Sequence, residues 1–132
     1  MVKIHTFKKR KDFLRVAANY YIATRNVVLQ AASSLSETDD YWVGYTATKK
    51  VGNAVCRNKS KRRLRAVVRD ILTKYALPHT DYVFVARSTT AFCNFEDLKR
   101  DVVYAIKKIN KNFVVKTLTE ANQISAEENE SY

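Results

Sequence analysis

Glycine occurs twice and proline once in 132 residues. So few chain-reversing residues exclude a sandwich or barrel of many short strands and favour longer elements. Cysteine is as scarce. Cys56 and Cys93 have neither CxxC spacing nor a histidine close in sequence. They make no disulfide framework and cannot supply four ligands to a structural zinc. Both read as reduced thiols of a cytosolic protein. No apolar run approaches the length of a membrane span, and no signal-peptide core follows Met1. The expectation is therefore a soluble, cytoplasmic chain with no membrane partner. The two histidines, His5 and His79, have no acidic or nucleophilic neighbour in sequence, and Asp39 and Asp40 lie in the polar break SLSETDD. A hydrolytic centre carried by the protein is not expected, and no metal ligand is assigned.

Apolar residues make up 46% of the chain, enough for the core of one domain. The formal charge is +11, and every charged residue after Lys116 is acidic: Glu120, Glu127, Glu128 and Glu130. Residues 1–116 are thus read as the domain and 117–132 as an acidic, flexible tail. A basic balance of this size points to an anionic partner rather than to a fold.

The spacing predicts a short basic helix over 7–18. YYIATRNVVLQAAS reads as one long strand or as two, 20–24 and 26–32, and 41–50 reads as a further strand. A long helix begins near Ala54 or Cys56. Leu64, Val67, Val68, Ile71, Leu72 and Tyr75 share one face of it, and Pro78 lies just past its end. Residues 81–87, DYVFVAR, are apolar on both alternating sets, as in a central strand. Asn94 caps a last helix whose buried stripe is Leu98, Val102, Ala105, Ile106 and Ile109. The result is a single α+β domain, with helices packed on one sheet in two layers.

The segment Lys49–Arg69, KKVGNAVCRNKSKRRLRAVVR, holds nine Lys or Arg and no acid. At 100° per residue, Arg57, Asn58, Lys61, Arg62, Arg65 and Arg69 fall within a sector of about 140° beside the apolar stripe. Lys49 and Lys50 end the preceding strand close to the helix start. Gly52 and Asn53 supply the turn, and free backbone N–H groups at a helix start attract phosphate. Arginine forks two donors onto phosphate. The pattern points to phosphate-backbone binding rather than a merely solvated face. Charge alone leaves RNA and DNA equally open.

GNAVCRNKSKRRLR, 52–65, with the preceding Lys-Lys, resembles the signature of the bacterial ribonuclease P protein subunit. The resemblance extends over about 5–113, taking in KKRKDF, TATKK and DYVFVAR. It implies an αβββαβα fold on a mixed four-stranded sheet with a left-handed βαβ crossover, whereas right-handed crossovers are the general rule. It also implies a ribonucleoprotein that removes the 5′ leader of precursor tRNA. There a catalytic RNA binds most of the Mg²⁺, the protein carries no catalytic residue, and no other protein is an obligate partner. Carried over by position, Arg57, Asn58, Lys61, Arg62 and Arg65 contact the catalytic RNA, flanked by Lys49, Lys50, Asn53 and Arg69. The leader would lie in a cleft between the first helix and the sheet, with Phe13 at an aromatic position of that helix. Ala17 stands where relatives often have a second Phe, and Gln30 where an aromatic is common. Tyr45 and Arg87 complete the candidate cleft. The alternatives from the residues alone are a ribosomal or RNA-chaperone protein and a DNA-binding helix module.

Overall fold

The computed structural model describes residues 3–130, with side chains through residue 113. The elements are β1 (Ile4–Thr6), α1 (Arg10–Ala17), β2 (Tyr20–Ala23), β3 (Val27–Ser33), β4 (Tyr41–Thr46), α2 (Ala54–Tyr75), β5 (Thr80–Ala86) and α3 (Phe95–Glu130). The strands form one mixed sheet in the order β1-β4-β5-β3-β2. β1 and β5 run parallel to β4, while β3 is antiparallel to both β5 and β2. β4, α2 and β5 make a parallel βαβ unit.

The sheet has five strands where four were expected. The extra one, β1, is three residues long and aligns Ile4, His5 and Thr6 with Tyr41, Trp42 and Val43. It is held from both ends: Tyr41 N–H donates to the Lys3 carbonyl, and Phe7 N–H donates to the Val43 carbonyl, each at 2.8 Å. So short a strand has no periodicity to read; its pairing partner creates it. The same extended lead-in shortens the first helix, which starts at Arg10 rather than near Phe7.

Strand alternation sorts the core into two. Val27, Leu29 and Ala31 of β3, Val43 of β4, and Tyr82, Phe84 and Ala86 of β5 face α2 and α3. The intervening residues face the other way, where Ala32 and Val83 pack with Val16 of α1 and with Phe7. The expected two layers thus become three over β3 and β5, because α1 covers the face opposite α2 and α3. β5 is buried on both faces, as its unbroken apolar run requires. Every expected apolar position of α2 is buried except Tyr75, which is half-buried, and the α3 stripe is buried throughout. Each fully buried Leu or Ile in these stripes contributes about 1.5–3 kcal/mol.

Buried polar groups brace this core. The Tyr82 hydroxyl donates to Asn110 Oδ1 at 2.6 Å and accepts from Leu77 N–H at 2.9 Å, joining β5 to α3 and to the segment after α2. Burial pushes its pKa up to about 12. Asn94 Oδ1 accepts from Glu96 N–H at 2.8 Å, which is the expected cap of α3. The boundary expected at residue 117 concerns side chains outside the described residues, although the backbone of α3 continues to Glu130. Among the described residues, no helix is long and apolar enough to cross a membrane.

Candidate nucleic-acid interface

Chain geometry before α2 decides how its cations are shown. β4 stops at Thr46, and Lys49 and Lys50 lie in a 3-10 turn, Lys49–Val51, rather than at a strand end. Val51 is the reason: its side chain enters the core, and its N–H closes the turn on the Thr48 carbonyl at 3.0 Å. Gly52 then takes φ 142°, a backbone region that side chains disfavour. Asn53 Oδ1 accepts from Cys56 N–H at 2.9 Å and caps α2. That oxygen is committed to the helix, so Asn53 positions the cation row. Asn53→Ala is expected to lower stability by about 1 kcal/mol. Urea denaturation checks this, and an unchanged midpoint would count against the cap.

On α2, Asn58, Arg62, Arg65 and Arg69 are exposed, while Arg57 and Lys61 are half-buried. Among the described residues, no acid pairs with any cation of this row. The acids are engaged elsewhere: Asp70 with Lys99 at 3.0 Å, Asp81 with Arg15, Asp40 with His5 at 2.8 Å. The Arg65 guanidinium lies over the Tyr45 ring, 5.4 Å from its centroid. Burial raises the Tyr45 pKa to about 12, against the pull of Arg65 and Arg69, so the ring stays neutral beneath the cations. The row is therefore a cationic surface on a rigid helix, without a counter-charge among the described residues. Its chemistry is the binding of a polyanion backbone.

Arg63 belongs to the same basic run but leaves the helix on the other flank. It donates to the Thr90 and Cys93 carbonyls, at 2.5 Å each, and so ties the β5–α3 connection to α2. The helical projection already places it outside the cation sector.

The structure gathers only part of the expected cleft. Phe13 of α1 leans over β4 at Gly44, where a Cβ would stand 2.6 Å from its Cε1. Gly44 is thus glycine because the ring occupies its side-chain space. Gln30 faces the same side, in register with Val83 on one neighbour and Tyr21 on the other. Ala17 is exposed at the end of α1. Arg87 lies just past β5, and its guanidinium donates to the Thr24 carbonyl at 2.7 Å. Tyr45 is not part of this face. One residue from Gly44, it points to the α2 side, as strand alternation demands. Sequence reasoning missed Tyr21, whose ring is 67% exposed on the face shared with Gln30. The Tyr20–Tyr21 pair was the available signal, since adjacent strand residues face opposite sides.

The histidines do have acidic partners, supplied by distant segments. His5 Nε2 lies 2.8 Å from Asp40 and stacks on Trp42, and His79 lies 3.3 Å from Asp39. The Lys3 N–H and His5 hold the Asp40 carboxyl below its ordinary pKa. Asp39 and Asp40 are thereby engaged. Among the described residues, no three His, Cys, Asp or Glu side chains converge as a metal site would need.

The family description Ribonuclease P matches residues 1–110. The ribonuclease P protein component of Paramagnetospirillum magneticum is 39% identical over 111 residues, covering 81% of this chain and 84% of that protein. That of Caulobacter vibrioides is 39% identical over 105 residues, covering 80% and 70%. The solved RNase P protein of Staphylococcus aureus superposes with a TM-score of 0.67 at 26% identity, over 80% of this chain and 94% of that one. The Thermotoga maritima protein shares the fold at 20% identity, with a TM-score of 0.67.

Proposed function

The chain belongs to the ribonuclease P protein family, and from that premise we propose that it binds the catalytic RNA of ribonuclease P through α2. The holoenzyme implied by this membership is a tRNA-processing endoribonuclease. In our reading the protein adds no catalytic residue. Arg57, Lys61, Arg62, Arg65 and Arg69 dock on RNA phosphates, with Lys49 and Lys50 at the helix start. α1 and the facing sheet, through Phe13, Gln30 and Tyr21, receive the 5′ leader of precursor tRNA. Tyr21 supplies an aromatic face next to Gln30, where the family often has one. Magnesium is held mainly by the RNA; among the described residues no three His, Cys, Asp or Glu side chains gather as a metal site of this chain's own would require. The setting is the cytoplasm, and no other protein is an obligate partner.

The observation that carries the reading is the cation row of α2, which among the described residues lacks acid partners, while Asp70 of the same helix is paired with Lys99. The test is reconstitution with a bacterial ribonuclease P RNA and precursor tRNA at low Mg²⁺. Added protein is expected to enhance cleavage at the mature 5′ end; no enhancement refutes the assignment. Phe13→Ala in the same assay is expected to weaken affinity for leader-bearing substrate by about fivefold or more, the equivalent of removing one stacking platform. Affinity for the catalytic RNA should change little. Equal losses for both RNAs would break the division into two surfaces.

A further inference from the structure

Lys59 and Arg63 belong to neither surface described above. They leave α2 toward the β5–α3 connection, and each lies over a phenyl ring. Lys59 Nζ is 5.4 Å from the centroid of Phe92, and the Arg63 guanidinium is 5.8 Å from that of Phe95. Arg63 is fixed there by its two carbonyl bonds. Phe92 is 69% exposed and Phe95 41%. Neither ring is part of either core cluster, so packing does not explain them. Beside them opens a recess of about 550 Å³, between the Arg25–Asn26 turn and the start of α3. Arg25 and Arg100 stand on its wall, as do Asp97 and Asp101. Those acids are already engaged. Asp97 lies 3.6 Å from Arg100, and Asp101 accepts from the backbone and side-chain N–H groups of Asn26. The four charges on the wall balance, so the positive surplus beside the open Phe92 face comes from Lys59 and Arg63.

We propose that this surface is a second RNA contact, taking one unpaired nucleotide whose base stacks on Phe92 and whose flanking phosphates meet Lys59 and Arg25. The inference rests on the reading of the chain as an RNA-binding subunit. Aromatic faces interleaved with cations suit single-stranded RNA, because every base has a π-face and every linkage a charge. A protein partner would select the reverse, since interface cores are depleted in lysine. A paired base is excluded, because its faces are stacked within the duplex. The ligand chemistry is the same whether the nucleotide belongs to the catalytic RNA or to precursor tRNA.

The experiment separates those sources. Wild type, Phe92→Leu, Phe92→Tyr, Lys59→Gln and Arg62→Ala are titrated against ribonuclease P RNA, and as assembled holoenzyme against precursor tRNA. Phe92 is exposed, so its replacement leaves the core intact. Phe92→Leu is expected to lose about fivefold or more in one arm, while Phe92→Tyr stays near wild type. In that arm Lys59→Gln reduces the salt slope by about one. The affected arm identifies the source. Wild-type affinity of Phe92→Leu in both arms overturns the proposal, as do equal losses for Phe92→Leu and Phe92→Tyr. If Arg62→Ala weakens binding and Phe92→Leu does not, this second surface alone falls. If Arg62→Ala is also without effect, the reading of α2 falls with it.

Discussion

Replacing Arg62 and Arg65 together by alanine is expected to reduce affinity for ribonuclease P RNA by roughly 100-fold, since each charge-assisted hydrogen bond contributes about 1.5 kcal/mol. The salt dependence should change as well. Removing one phosphate-binding cation lowers the slope of log affinity against log salt by about one, so the double variant should fall by about two. Both side chains are exposed and without acid partners among the described residues, so the folded state loses almost nothing. Among the described residues, the intramolecular interaction at stake is Arg65 over Tyr45, worth about 0.5–1 kcal/mol. Titrations at a series of salt concentrations, with a thermal melt beside them, separate binding from stability. An unchanged slope would mean that these arginines do not meet phosphate, whatever the affinity does.

The largest expected effect on stability comes from the opposite face. Arg15 of α1 donates to Asp81 of β5 and, at 2.9 Å, to the Ser33 carbonyl. The Asp81 side chain is only 3% exposed, that of Arg15 24%. Arg15→Ala leaves a buried carboxylate without its counter-ion, which costs about 3–5 kcal/mol. For a domain of this size the melting temperature should fall by roughly 10 °C or more. Asp81→Ala should cost less, because the stranded guanidinium can still reach water. Replacing both by leucine should recover much of the loss. Urea midpoints for the three variants, measured beside the wild type, check these rankings. If the double variant is no more stable than Arg15→Ala, the loss does not come from a stranded buried carboxylate. Because α1 carries Phe13 over Gly44, the same bond positions one wall of the proposed leader cleft.

Legibility differed sharply between parts of the molecule. α2 and α3 were readable because a helix buries positions three and four apart, a periodicity written into the chain itself. The cation row was readable for the same reason. β5 was readable from its length and its apolar run. β1 was not, since three residues carry no period and its bonds go to β4, far along the chain. The ends of β4 and α1 moved because Val51 and Phe7 are drawn into different cores.

The candidate cleft divides along the same line. Phe13 was identified by resemblance, yet its seat over Gly44 depends on how α1 crosses the sheet. Tyr45 was placed in the cleft and Tyr21 left out, because the face a strand residue shows is set by register with its neighbours. His5 and His79 looked partnerless until folding brought Asp40 and Asp39 to them.

By itself, then, the sequence determined the three helices and the central strand. It also set the row of cations on α2 and, through an ordered signature, the family. These are local properties, carried by residues a few positions apart. Tertiary structure alone decided which helix covers which face, which tyrosine is exposed beside Gln30, and where an unpaired base would find Phe92 beneath Lys59. Those depend on contacts between distant segments, which no periodicity records.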